Sequence, residues 1–476
     1  MTSLFLTDSS RIKVARTQCA RLRWLEYHAG GYGIRPRKQA VPLTTGIYTH
    51  RPLEKILLWV VQNGGSTLPP REVFREIITT DALMPYFNRV RTRGFENTPD
   101  TLQQRLIWEQ AALIEGLIWG ARRVLLPYIL ENFEVVRVEE EAPVMVVGCT
   151  CGLGDRVTPH TAHEQRDCTG VGIMTRGDVV LRRRADGEDV YLDWKTSGNV
   201  DAYNWDEEQA DGVQFAMNAA ALLALGHRIT DCVVGGLNKG WREAAKEEDA
   251  FGKKRVTAES AKDKKQRSIF CWAYRRPGNP PLVPEEWRAS YNYQEVDPQT
   301  GALKQRKLTR DFELSPVWEA DFPAKPLDWT ALEYWVEALP LDLLQKEFKL
   351  AGPFPQHTWK QDSILRGVAA DEAVWAMKVR AIHAELARAG GALDAPSVIA
   401  ALDTHAPQSW VCTIYRRKCS MKHICDRGAG WENPLGTGLY ELRRPHHQAE
   451  LEQAQAAGWP IGCEEEDPWG DDGEGD

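Results

Sequence analysis

Apolar residues recur at helical spacing through much of the N-terminal half. Ile12, Ala15, Cys19, Leu22 and Leu25 predict one Arg-rich helix over residues 10–28. A Gly30-Gly31-Tyr32-Gly33 loop follows, and a second helix is expected from near Leu43-Thr44-Thr45-Gly46. It carries His50, with Leu53, Ile56, Leu57 and Val60 on its apolar side. Leu102, Leu106, Ala112, Leu117 and Val124 predict a long helix from Thr101 to about Glu131, kinked at Pro127. From Glu134 to Val147 the period shortens to that of a strand, and 148–172 reads as a loop.

Two apolar runs then stand close together. Asp178-Val179-Val180-Leu181-Arg182 and Tyr191-Leu192-Asp193-Trp194-Lys195-Thr196-Ser197 flank a turn from Arg184 to Asp189, which predicts a β-hairpin. A helix with an acidic start is expected over 206–226, ending at Gly226, followed by a strand at Cys232-Val233-Val234-Gly235-Gly236-Leu237. The order helix, strand, hairpin, helix, strand predicts an α/β fold with a mixed central sheet flanked by helices. After Lys239 the apolar pattern weakens into a basic stretch over 239–276, read as a long loop. Residues 328–405 read as mainly helical.

Composition changes this picture little. The chain has 476 residues, room for two or three domains or one large core with insertions. No apolar run is long enough to span a bilayer, and residues 1–16 lack the apolar core of a secretory signal, so a cytoplasmic location with no membrane partner is expected. Ten cysteines are then better explained by metal binding than by disulfides. The net charge of −8 owes much to the last thirteen residues, Glu464 to Asp476, which hold eight acids and no base. That tail reads as disordered, and without it the body is near neutral.

The hairpin carries the candidate chemistry. Period-two alternation puts Asp193 and Lys195 on one face of their strand and Trp194 on the other, and the turn brings Asp178 beside them. Two carboxylates suit a hard divalent cation, and a lysine suits a water nucleophile or a phosphate. Gln214, on the next helix, suits a metal-bound water or a phosphate oxygen. On an isolated hairpin the same residues would make only a solvated surface.

Asp178, Asp193-Trp194-Lys195-Thr196 and Gln214 resemble the PD-(D/E)XK nucleases, in particular their RecB-like branch. That branch also has a G-x-x-x-H helix, matched here by Gly46-Ile47-Tyr48-Thr49-His50. The resemblance implies a restriction-endonuclease-like core. It implies Mg²⁺ or Mn²⁺ held by His50, Asp178, Asp193 and the Trp194 backbone carbonyl, with Lys195 acting on the attacking water and Gln214 positioning the strand. It covers residues 10–60, about 100–240 and about 405–428. The family's Q-x-x-x-Y pattern is broken, because Asn218 stands four residues after Gln214.

Cys412, Cys419 and Cys425, with Cys19 far upstream, are similar to the cysteines of the iron–sulfur branch of these nucleases, which includes AddB-type, CRISPR-adaptation and phage-encoded proteins. The resemblance implies a structural [4Fe–4S] cluster joining the chain's ends. The four thiolates alone suit zinc equally. Cys149, Cys151, His160, His163 and Cys168 form a second ligand-like set of no standard spacing.

The expected organisation is therefore N-terminal helices and nuclease core over 1–240, a basic loop and mainly helical insertion over 241–405, a cysteine clasp over 406–430, and a C-terminal helix with the acidic tail over 431–476. The expected activity is metal-dependent DNA hydrolysis, as an exonuclease on single strands or ends. Lys253, Lys254, Arg255, Lys264 and Lys265 would contact DNA, as would arginines of the Arg11–Arg23 segment. A helicase or recombination partner fits that role. The alternatives are a non-catalytic DNA-binding or assembly protein on the same fold, and a zinc-binding regulator.

Overall fold

The apolar segments build two sheets joined by helices. The structure is a computed structural model that describes residues 4–17, 19–38, 41–94, 100–148, 160–161, 170–197, 200, 212–239, 347–408 and 419–462, with short pieces between 242 and 345. The strands of the two larger sheets and of a terminal ribbon are β1 (Phe5–Thr7), β2 (Ile34–Pro36), β3 (Phe133–Glu141), β4 (Met145–Val147), β5 (His160–Thr161), β6 (Val171–Ile173), β7 (Arg176–Arg183), β8 (Asp189–Ser197), β9 (Ile229–Asn238), β10 (Phe348–Pro355) and β11 (Tyr440–Leu442). Among the described residues no helix is long and apolar enough to cross a membrane.

The central sheet runs β10-β9-β8-β7-β3. Its β7–β8 hairpin pairs Val179 with Leu192 and Leu181 with Val190. β8 and β9 are parallel, and every other neighbouring pair is antiparallel, so the sheet is mixed. Helices cover both faces. Leu192, Trp194, Val179 and Leu181 pack in one buried cluster with Leu53, Ile56 and Leu57 of α3 (Val41–Gln62) and with Ile114 and Leu117 of α6 (Asp100–Arg123). On the opposite face Tyr191, Val180 and Val234 pack against Phe215, Ala219 and Leu222 of α8 (Val213–Ala224). Between α3 and α6 lie α4 (Arg71–Ile77) and α5 (Met84–Arg93), and α7 (Leu125–Asn132) follows α6. A three-layer α/β arrangement follows, because each sheet face is apolar.

Several local expectations change. The segment over 10–28 is two helices, α1 (Ser9–Thr17) and α2 (Ala20–Tyr27). Cys19 is the N-cap of α2, its Sγ accepting from Leu22 N at 3.3 Å. The long helix breaks at Val124, not at Pro127, which lies in the first turn of α7 where its missing N–H costs nothing. The strand expected over 134–147 is two strands in different sheets, β3 and β4.

The stretch read as a helical insertion contributes β10, an edge strand on β9. Phe348-Lys349-Leu350-Ala351 alternates as a strand should, and the Gly352-Pro353 pair that reads as a breaker is absorbed by an irregularity between Ala351 and Phe354. The start of the helix expected over 206–226 lies outside the described residues, as does the acidic tail beyond 462.

The described chain ends meet. β11 pairs with β2, matching Leu442 to Ile34 and Tyr440 to Pro36. β1 pairs with β6 in the smaller sheet. Arg11 lies in ion contact with Asp8 (3.1 Å) and with Glu450 of the C-terminal helix Gln448–Ala457, all three buried. Arg23 makes a two-pronged bond to Glu372 of the long helix Thr358–Arg388.

Candidate active site

Trp194 fixes the register from which the site is built. It is fully buried, and a Cβ added at Gly235 of β9 would lie 2.3 Å from its ring. Only glycine leaves room for the indole, and this close approach locks Asp193 opposite Val234 and Lys195 opposite Gly236. With Trp194 directed into the α3/α6 face, alternation turns Asp193 and Lys195 towards α8. Both lie near the C-terminal end of β8, beside its parallel neighbour, where open α/β sheets form ligand crevices.

Asp193 is 1% exposed. A buried carboxylate is costly unless paired and hydrogen-bonded. Lys195 Nζ lies 2.6 Å from its Oδ2, Gln214 Nε2 donates to Oδ1 at 3.1 Å, and Tyr191 Oη donates to Oδ1 at 3.4 Å. Gln214 completes a triangle, its Oε1 accepting from Lys195 Nζ at 2.9 Å. From β7, Asp178 Oδ2 accepts the Trp194 N–H at 2.8 Å. The structure thus brings together four of the residues singled out from sequence: Asp178, Asp193, Lys195 and Gln214.

The electrostatics follow from this packing. Burial, and then the negative charge of Asp193, push the Asp178 carboxyl well above the usual carboxylate range. Burial pulls Lys195 down, but Asp193 and Asp178 outweigh it and hold its ammonium above the ordinary value. Two acids this close favour a shared proton or a shared cation.

His50 lies on α3, one turn after Gly46. Its Nε2 is buried and makes no hydrogen bond among the described residues. Burial, with the charges of Lys195 and Lys239, lowers its pKa to about 3, so the ring is neutral. Among the described residues no three His, Cys, Asp or Glu side chains stand together as a ready cation cage. The donor chemistry nonetheless fits a hard cation. His50 Nε2 is a buried polar atom without a hydrogen bond among the described residues, while Asp193 Oδ2 is held by the Lys195 ammonium, and carboxylate oxygens with a neutral imidazole suit Mg²⁺ or Mn²⁺. The Trp194 side chain is directed into the α3/α6 face, away from the acids.

Gly46 sets how closely α3 approaches the strand. A Cβ there would stand 3.1 Å from Thr196 Oγ1 and 3.8 Å from Lys239 Nζ. Lys239 follows β9 and donates to Thr196 Oγ1 at 2.8 Å. Burial lowers its pKa to about 8. The sequence places Lys239 only at the edge of a basic stretch, whereas the structure puts it beside Thr196, the neighbour of Lys195. Tyr191 and Asn218 are also absent from the sequence-based site. Both had a signal: Tyr191 is two residues before Asp193 on the same strand face, and Asn218 is one helical turn after Gln214.

Of the four clasp cysteines, three are described. Cys19, buried, and Cys419 and Cys425, half-buried, pack in one apolar cluster with Trp24, Met421 and Ile424. Cys412 lies outside the described residues. His160 lies on β5, while Cys149, Cys151, His163 and Cys168 also lie outside them.

The DNA-contact expectations change in one place. Arg11 and Arg23 are each 2% exposed and held by internal acids, so neither is offered to a phosphate backbone. Parts of the basic loop are paired strand. Lys254 and Arg255 stand opposite Glu248 and Glu247, and Lys265 stands opposite Glu243. Lys253 and Lys264 lie outside the described residues.

The sequence matches no protein-family model, and none of the curated proteins searched matches it.

Proposed function

We propose that this chain is a divalent-metal-dependent DNA nuclease on a restriction-endonuclease-like core of the RecB-like PD-(D/E)XK type. It acts as an exonuclease on single strands or DNA ends and carries a structural [4Fe–4S] cluster. The observation that carries the reading is the convergence of Asp178, Asp193, Lys195 and Gln214 at the end of β8, in contact with one another and drawn from three elements.

Asp178, Asp193, His50 and the Trp194 carbonyl would hold the cation. When bound, it supplies Lewis-acid stabilisation of the phosphodiester's developing charge. The chain's own groups do the rest. Lys195, held between Asp193 and Gln214, presents an ammonium that orients the attacking water and faces the phosphate. Gln214 keeps that ammonium from rotating away. Lys239, with Thr196, offers a second cation for a neighbouring phosphate on the strand. The shared cluster of Cys19, Cys419 and Cys425 supports the metal clasp.

Anaerobic purification with iron, sulfide and zinc analysis, followed by a DNA assay on the same sample, tests the reading. Iron and sulfide, with chelator-sensitive DNA degradation, are expected. Zinc without iron, in a protein that leaves DNA intact, would instead identify a zinc-binding regulator. Tight DNA binding without cleavage would identify a non-catalytic DNA-binding protein.

A further inference from the structure

We propose that Tyr191 and Asn218 form a buried positioning pair that orients the Asp193 carboxylate and anchors the backbone of Asp178, and so tunes the affinity for the divalent cation. The inference rests on the nuclease reading above and extends it to residues that touch neither DNA nor cation.

The Tyr191 hydroxyl is a hub. Asn218 Nδ2 donates to it at 2.7 Å, and the Asp178 backbone N–H approaches it at 3.4 Å. The hydroxyl donates to Asp193 Oδ1, also at 3.4 Å. Tyr191 is fully buried and Asn218 is 3% exposed, so water does not compete for these contacts. One phenolic oxygen therefore touches the backbone of one acid and the side chain of the other.

Direction is built into the arrangement. A hydroxyl has one proton to give. With the Asn218 amide and the Asp178 N–H both directed at the oxygen, that proton is left for Asp193. Removing the Asn218 donor frees the hydroxyl to rotate. The short bond is the one to Asn218, which anchors the phenol on α8. The two longer contacts are those to the site acids, one to the Asp178 backbone and one to the Asp193 carboxylate. Hydrogen bonds that orient a metal-binding carboxylate are worth about 10–100-fold in metal affinity or activity. Asn218 sits where the Q-x-x-x-Y pattern has tyrosine. Here the phenol comes from β8 and the helix supplies the amide that holds it.

The test uses the full-length protein and Mn²⁺. Free Mn²⁺ is followed by electron paramagnetic resonance without DNA, and cleavage is followed against Mn²⁺ concentration. Tyr191→Phe is expected to weaken Mn²⁺ binding about tenfold, with a matching shift in the concentration needed for cleavage. Asn218→Ala is expected to move both in the same direction by less. Leu222→Ala, in the same apolar cluster, lowers the melting temperature and leaves Mn²⁺ affinity unchanged.

Mn²⁺ affinity in Tyr191→Phe or Asn218→Ala equal to wild type overturns the inference. So does a loss in Leu222→Ala as large as that in Tyr191→Phe, since packing alone would then explain it. If Tyr191→Phe does not fold, Asn218→Ala decides. Wild-type protein that neither takes up Mn²⁺ nor cleaves DNA overturns the nuclease reading, and this inference with it.

Discussion

Gln214 bridges Lys195 and Asp193 on the α8 face of their strand: Oε1 accepts from Nζ at 2.9 Å while Nε2 of the same amide donates to Asp193 at 3.1 Å. One planar group thus fixes the orientation of an acid and an ammonium that are already in contact at 2.6 Å. Gln214→Ala should slow DNA cleavage roughly 10–100-fold, and Gln214→Glu should not restore it, because a carboxylate cannot donate to Asp193. Single-turnover rates with the melting temperature as a folding control check this.

Lys239 gives the DNA interaction a pH signature. Burial sets its folded pKa at about 8, whereas the unfolded chain keeps the proton to about 10.4. Between those values the unfolded state binds more protons, so this group's contribution to stability rises with pH while its attraction for phosphate is lost. Affinity for a short DNA strand in chelator should therefore fall across pH 7–9. Lys239→Arg should remove that fall, and Lys239→Ala should reduce the salt slope of binding by about 1. Titration by fluorescence anisotropy reads both.

Gly46 spaces α3 from the strand that carries Lys195. Gly46→Leu would place a branched side chain where even a Cβ stands 3.1 Å from Thr196 Oγ1. The helix, and His50 with it, must move outward. A displacement of about 1 Å costs roughly 100-fold in rate, so cleavage should fall by that order. Circular dichroism and activity of the variant are the check.

The hairpin chemistry was legible because alternation alone assigns Asp193, Trp194 and Lys195 to their faces, and a short turn brings Asp178 alongside. The helical layer over one sheet face followed from apolar spacing in 41–62 and 100–123, and the opposite layer from the helix that ends at Gly226. What escaped was non-local. β10 is short, interrupted by Gly352-Pro353, and separated from β9 by more than a hundred residues. Arg11 and Arg23 look like surface cations in an Arg-rich helix, because their partners Glu450 and Glu372 lie hundreds of residues away. Lys239 gains its place only when α3 closes over Thr196.

Asp8 makes the joined chain ends acid-sensitive. Burial opposes its ionisation, but Arg11, His447 and Arg443 outweigh it and hold the carboxyl below its usual range. A depressed acid stabilises the fold above its unfolded pKa, about 3.9, and that contribution is lost as pH falls through the folded value. Asp8→Asn leaves Arg11 buried with one acid fewer and should cost roughly 3 kcal/mol at pH 7. The gap to wild type should close as pH drops below about 4. Thermal melts at stepped pH give the comparison, and a gap that stays constant would contradict the role assigned to Asp8.

One comparison tests the chemistry at the end of β8 most directly. Labelled single- and double-stranded DNA is incubated with wild type, Asp193→Ala and Lys195→Ala, in Mg²⁺ or Mn²⁺ and in chelator. Wild type is expected to degrade DNA in a reaction that chelator abolishes. Each variant is expected to lose at least about 100-fold in rate, with the folded state retained. Cleavage that persists in either folded variant, or in chelator, would contradict that chemistry.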